Sequence, residues 1–136
     1  MSNPSFDWPV RIYYSDTDAG GVVYHANYLN FFEHARTEML RAAGFDQGHD
    51  SDHPWMFVVK NINIDFIRPA RLNQQLLVVT EITACSGARI EFSQQLLDQQ
   101  QQCYCRAQVQ VACLDSHSFR PTRIPNAIKE ELTRAH

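Results

Sequence analysis

A chain of 136 residues is sized for one domain spanning residues 1–136, and its 44% hydrophobic and 20% charged residues match an ordinary globular protein. Mean hydropathy is -0.37, no run approaches the roughly 18–20 unbroken apolar residues of a spanning helix, and Met1–Asp7 shows neither a basic nor an apolar leader region. The expectation is therefore a cytoplasmic protein with no transmembrane segment. The net charge of -3 excludes a generally basic nucleic-acid binder, while a mostly Arg cation set suits a local patch for a phosphorylated ligand.

In chain order, Val10, Ile12 and Tyr14 alternate with Arg11 and Tyr13, the period of a strand. Ser15–Gly21 reads as a loop by composition. Tyr28, Phe31, Phe32, Ala35, Met39 and Ala43 then recur at helical steps, with Glu33, Arg36, Thr37 and Arg41 largely between them. This predicts one helix of about four turns, capped by Asn27 and stopped at Gly44. Asp46–Pro54 reads as a polar loop.

Everything after residue 55 reads as β-structure. Ile62, Ile64 and Phe66 alternate with polar neighbours, Leu76–Thr83 is β-branched and apolar, and Ile90–Leu97 alternates again. Cys103, Cys105, Ala107, Val109, Val111 and Cys113 all share one strand face. Their thiols read as small core groups, because the C-x-C spacing is not that of a zinc pair. The predicted order is β-α-β-β-β-β, an α+β fold. Short turns imply an antiparallel sheet, and one aromatic-rich helix is the only element available to cover it. So large a sheet stays partly uncovered, which predicts dimerisation.

The chemistry concentrates in Tyr13–Tyr28. Asp16 and Asp18 lie two residues apart, ahead of Gly20-Gly21 and a helix start. Glycines allow close backbone approach, and a helix N-terminus offers unpaired N–H groups. A carboxylate facing such donors suits acyl transfer. From spacing alone, however, Asp18 reads first as a turn or capping carboxylate.

The block from Tyr13-Tyr14 through Asp16-Thr17-Asp18-Ala19-Gly20-Gly21-Val22-Val23-Tyr24-His25 to Phe32-Glu33-His34-Ala35-Arg36-Thr37-Glu38 is specific. It closely resembles YbgC-type acyl-CoA thioesterases, in the 4-hydroxybenzoyl-CoA thioesterase-like branch of the hotdog superfamily. Further matches at Phe66–Leu72 and Arg120–Pro125 extend the resemblance over nearly the whole chain. It implies a hotdog fold, a curved antiparallel sheet of about five strands around one central helix.

Residue by residue, the resemblance makes Asp18 the catalytic carboxylate, either attacking the thioester carbonyl or activating water. It places backbone N–H groups near Tyr24 and His25 at that carbonyl. Tyr14 and His25 line the site, and His25 also counts as a proton donor to the leaving thiolate. Glu33 counts as a substrate-side residue and as the runner-up base. Lys60 and Arg89 are candidate CoA contacts, with Arg68, Arg71, Arg120 and Arg123. No metal or cofactor is implied. The implied partners are acyl-CoA, a second copy in a homodimer or homotetramer, and acyl carrier protein or phospholipid-synthesis enzymes linked to the Tol-Pal envelope system. Many relatives carry an acidic residue where this chain has Asn73, a departure expected in a turn outside the chemistry. Two rivals stay open: a hotdog hydratase or dehydratase, and a non-catalytic acyl-thioester-binding scaffold. Fold alone does not separate them.

Overall fold

A computed structural model describes residues 3–45 and 54–134, so most of the expected loop Asp46–Pro54 lies outside the described residues. The elements run β1 (Ser5–Arg11), a 3-10 turn (Tyr14–Asp16), α1 (Asn27–Ala42), β2 (Trp55–Phe66), β3 (Gln75–Ser86), β4 (Arg89–Leu97), β5 (Cys103–Asp115) and α2 (Asn126–Thr133). The strands form one antiparallel sheet in the order β1-β3-β4-β5-β2. This is the α+β hotdog architecture.

The topology explains where the helix must lie. β1 and β2 are the two edges of the sheet, so the α1 segment joining them crosses its face. That face is apolar: Val78, Ile90, Phe92, Leu96, Cys105 and Val109 are buried against Phe31, Phe32, Ala35 and Met39 of the helix. Register shifts at Val59/Asn61 in β2 and Ile82/Ala84 in β3 add an unpaired residue to each strand. Such bulges bend a sheet, which here wraps the helix.

The C-terminal stop of α1 follows the sequence. Gly44 takes φ +100, which is costly for any residue with a Cβ, and Phe45 N–H closes back on Leu40 O at 2.9 Å. The turn then seats Phe45 against Trp55 and Phe57, with ring centroids 4.4 and 5.3 Å away.

Several expectations need correction. The helix cap is Ala26, with no side-chain cap bond, and Asn27 is the first helical residue. Its amide instead donates to Asp16 O at 3.1 Å. The first strand lies earlier than expected: Ser5–Arg11 pairs with β3, and Tyr14 belongs to the 3-10 turn. α2 was not foreseen. It begins after Pro125 and buries Leu132 beside Phe6, Met39 and Ala43. Arg36, placed on the polar side by sequence, is only 6% exposed.

Of the three cysteines expected on the core face of β5, two are buried, while Cys103 lies beyond a register shift at Leu96/Leu97. Cys105 and Cys113 are buried, Cys85 and Cys103 are half-buried, and all four are free thiols. Burial is the main influence pushing Cys105 up to about 12 and Cys113 up to about 11, so both stay protonated at neutral pH. Asn73 takes φ 70 in the turn before β3, a left-handed conformation that Asn accepts more readily than most residues.

Candidate active site

The loop between β1 and α1 is tied down at three levels. Asp16 fixes its start, accepting Tyr13 N–H on Oδ2 at 2.8 Å while its backbone carbonyl accepts Tyr24 N–H at 2.9 Å. Asp18 and Val22 close a small turn, with Asp18 N–H to Val22 O at 2.9 Å and Gly21 N–H to Asp18 O at 3.0 Å. Gly21 supplies the φ of +79 that this turn demands. The whole loop then docks on the β2–β3 crossover. Val23 N–H donates to Ala70 O at 2.9 Å, Val22 bridges Arg71, and Ala70 N–H donates to the buried Tyr28 hydroxyl at 3.0 Å.

Within that frame the Asp18 carboxylate is exposed, and its two oxygens differ. Oδ1 accepts Gly20 N–H at 2.8 Å, whereas Oδ2 has no partner among the described residues. Asp18 lines an open depression of ≈ 460 Å³ with Tyr14, Thr17, Ala19, Gly21 and Leu72. Tyr14 is 82% exposed there, and its carbonyl anchors the Thr17 hydroxyl at 2.7 Å.

His25 lies in a neighbouring depression of ≈ 250 Å³, with Tyr28, Phe66, Ile67, Arg68 and Pro69. Its ring packs 4.5 Å from Tyr24 and edge-on to Phe66 at 6.2 Å. The backbone tells the two residues apart. Tyr24 N–H is already spent on Asp16 O, so the expected donor at Tyr24 is not available. His25 N–H makes no hydrogen bond among the described residues. At the helix N-terminus it is therefore a free donor.

The remaining candidates are scattered within one protomer. Lys60 is exposed at the β2 bulge, which breaks its phase with Ile62. Arg89 opens β4 opposite Ser86. β3 starts beside the Asp18 loop and ends at that hairpin, so Arg89 sits at the opposite end of the sheet. Glu33 is exposed on α1, accepting the Thr37 hydroxyl at 3.1 Å. It belongs to a separate cleft, farther along the helix. Among the described residues, no group of three or more His, Cys, Asp or Glu side chains is arranged to hold a metal ion.

The sequence reading missed a buried polar chain. Arg36 Nη1 donates to Gln94 Oε1 at 2.9 Å, and Gln94 Nε2 donates to Phe32 O at 3.0 Å and Thr80 Oγ1 at 2.9 Å. Gln94 and Thr80 are fully buried. One signal was present: Phe32, Arg36 and Leu40 follow one another at four-residue steps, which puts Arg36 on the apolar stripe.

Residues 13–132 match the family model of the thioesterase-like superfamily. The chain belongs to that superfamily. It is 45% identical over 130 residues to the acyl-CoA thioesterase YbgC of Haemophilus influenzae, covering 95% of each chain. It is 42% identical over 131 residues to the acyl-CoA thioester hydrolase YbgC of Escherichia coli O157:H7, covering 96% of this chain and 98% of that one. Among solved structures, a probable thioesterase from Bartonella henselae superposes with a TM-score of 0.77 at 37% identity, covering 90% of this chain and all of the other. The relatives thus match the full span in which the Asp18 loop, the helix start and the crossover lie.

Proposed function

We infer that the protein is an acyl-CoA thioesterase with Asp18 as its catalytic carboxylate. One observation carries the reading: a carboxylate with one oxygen held by Gly20 N–H and the other open, on the loop that ends at the unused His25 N–H. The thioester carbonyl oxygen takes the His25 N–H, which stabilises the negative charge that builds there during attack. Asp18 Oδ2 either adds to the carbonyl carbon or removes a proton from the attacking water. In the water route the water oxygen bonds to carbon, the tetrahedral intermediate collapses, and the C–S bond breaks. CoA thiolate departs, taking a proton from solvent or from the His25 imidazole. In the direct route Asp18 Oδ2 bonds to the carbonyl carbon, the C–S bond breaks with departure of CoA thiolate, and water then hydrolyses the acyl-aspartyl anhydride to the free acid and the Asp18 carboxylate. Names of relatives at 42% and 45% identity support the acyl-CoA substrate.

The working unit is a homodimer, or a tetramer built from two. Among the described residues β2 is an edge strand paired with β5 alone, yet it carries Val59 (47% exposed), Ile62 and Phe66 (51% exposed). An unpaired edge that exposes apolar side chains between polar ones offers its backbone to another strand. Antiparallel pairing of two β2 strands would set the start of one beside the end of the other, near His25 and Phe66. Arg89 would then reach a CoA site only from the second copy, while Arg68 and Arg71 flank the Asp18 loop of the first. No helix among the described residues is long and apolar enough to cross a membrane.

The test is thiol release across short, aromatic and long acyl-CoAs, for the wild type and Asp18→Asn. Turnover that drops by orders of magnitude in a folded variant supports the reading. Equal turnover in the variant moves the chemistry to another group, with Glu33 first in line. A folded protein that binds acyl-CoA without any turnover favours the scaffold rival.

A further inference from the structure

Among the described residues α1 lies closest to β1 and β3 and meets β2 less closely, touching it near its start, where the Tyr28 and Phe66 rings lie 5.6 Å apart. The seam between α1 and β2 has a depression at each end. At one end are His25, Tyr28 and Phe66. At the other is a cleft of ≈ 80 Å³ lined by Glu33, Arg36 and Leu40 of the helix and by Phe57, Phe92 and Val111 of the sheet. Helix and strand therefore run antiparallel along the seam. From Asn27 to Arg36 it extends about 14 Å at the rise of an α-helix.

Arg36 is an unusual residue to find in this second cleft. It is 94% buried, and it spends one N–H of its five on Gln94. Gln94 is itself pinned, since its amide nitrogen serves Phe32 O and Thr80 Oγ1 and its oxygen is committed to Arg36. The guanidinium is thus held from behind. No buried side-chain nitrogen or oxygen among the described residues is left wholly enclosed without a partner. The unused N–H groups of Arg36 accordingly open on the cleft, whose walls are otherwise largely apolar. Glu33, one turn away, accepts the Thr37 hydroxyl, and its charge acts on the Arg36 guanidinium through space without a direct ion pair among the described residues.

Building on the thioesterase reading, we propose that Arg36 is a specificity-determining residue that selects acyl groups bearing a hydrogen-bond-accepting oxygen, a carboxylate above all, at their far end. With the thioester at His25, the acyl chain lies along the seam between α1 and β2 and its distal atoms reach the guanidinium. A plain alkyl end would strip water from Arg36 and return nothing, which is costly for a buried cation. A carboxylate meets the guanidinium fork with paired N–H donors. The seam length suits medium chains.

The experiment compares suberoyl-CoA and sebacoyl-CoA with octanoyl-CoA and decanoyl-CoA. Turnover by the wild type is read as kcat/KM, and affinity is read by calorimetry on the Asp18→Asn protein. The acid-ended chains are expected to be preferred by about tenfold or more in both readouts. In Arg36→Met that preference is lost, and in Arg36→Lys, which keeps the charge but not the fork, it is intermediate. A wild type that handles alkyl chains as well as acid-ended chains of each length overturns the proposal, and this arm stands even if Arg36→Met does not fold. Absence of turnover on every thioester sinks the hydrolase reading instead, and the calorimetric comparison then decides the Arg36 assignment alone.

Discussion

Gly20 N–H donates to Asp18 Oδ1 at 2.8 Å, and a Cβ built on Gly20 would stand 3.2 Å from that same oxygen. The glycine thus has two roles at once: it orients the carboxylate, and it leaves the space the carboxylate occupies. Because the bond uses one oxygen only, the carboxylate is aimed without being consumed. The Thr17–Val23 bridge and the dock on Ala70 carry this geometry back to the sheet.

Asp18→Asn should therefore separate chemistry from structure. The amide oxygen can still accept Gly20 N–H, so the loop keeps its shape, while the base or nucleophile is gone. The expected result is a fall in kcat of about 10²–10⁴ with a melting temperature close to wild type. Gly20→Ala should give a smaller loss of kcat, about tenfold or less, through displacement of the carboxylate by a few tenths of an ångström. Steady-state thiol release and thermal melts on the two variants check both statements. A Gly20→Ala protein with unaltered kcat would show that the position of Oδ1 does not matter.

Much of this arrangement could be read in the chain. The stripe Tyr28, Phe31, Phe32, Ala35, Met39 gave the helix because 3.6-residue periodicity is local, and Gly44 gave its end because φ +100 needs a glycine. β5 was legible from strict alternation. What sequence could not supply was pairing at long range. Arg36 looks solvent-facing until Gln94, 58 residues later, is brought behind it. Tyr24 and His25 look equivalent as donors until Asp16 O takes one of them. α2 stayed hidden because a single buried apolar residue, Leu132, leaves too little periodic signal across eight helical positions.

The polar chain behind Arg36 yields a stability prediction. Gln94→Leu keeps the volume but removes the acceptor that faces the buried guanidinium, and it frees the Thr80 hydroxyl as well. The expected cost is about 2–4 kcal/mol, whereas Thr80→Val, which leaves the Arg36 bond intact, should cost about 1 kcal/mol. Urea unfolding measures both as a lower midpoint at unchanged slope. Equal losses in the two variants would mean that the Arg36 bond adds nothing beyond an ordinary neutral one.

The edge strand gives a prediction about assembly. Ile62 is paired to Val109 of β5 on its own sheet and is 36% exposed at the rim. Ile62→Lys places a charge on the surface that a second β2 would cover, so a dimer joined there should dissociate to monomers at micromolar concentration. Light scattering after size exclusion reads the mass directly. Turnover should fall with the loss of the dimer if the CoA site draws on both copies. A variant that stays dimeric locates the contact elsewhere on the molecule.

The buried thiols predict how stability responds to alkali. Cys105 is raised from 9.0 to about 12 and Cys113 from 9.0 to about 11, in each case chiefly because burial disfavours the thiolate. The unfolded chain releases these protons near pH 9, while the folded chain holds them to higher pH. Between those limits the folded state binds more protons than the unfolded state, so stability falls as pH rises. The contribution is fully present below pH 9 and is lost on passing toward the folded-state values of about 11 and 12. Each thiol steepens the decline by roughly 1.4 kcal/mol per pH unit over its own window. Urea midpoints measured from pH 8 upward should therefore drop faster in the wild type than in Cys105→Ala, once each is referenced to its own value at pH 8. Parallel curves would show that the Cys105 thiol ionises as readily in the folded chain as in the unfolded one.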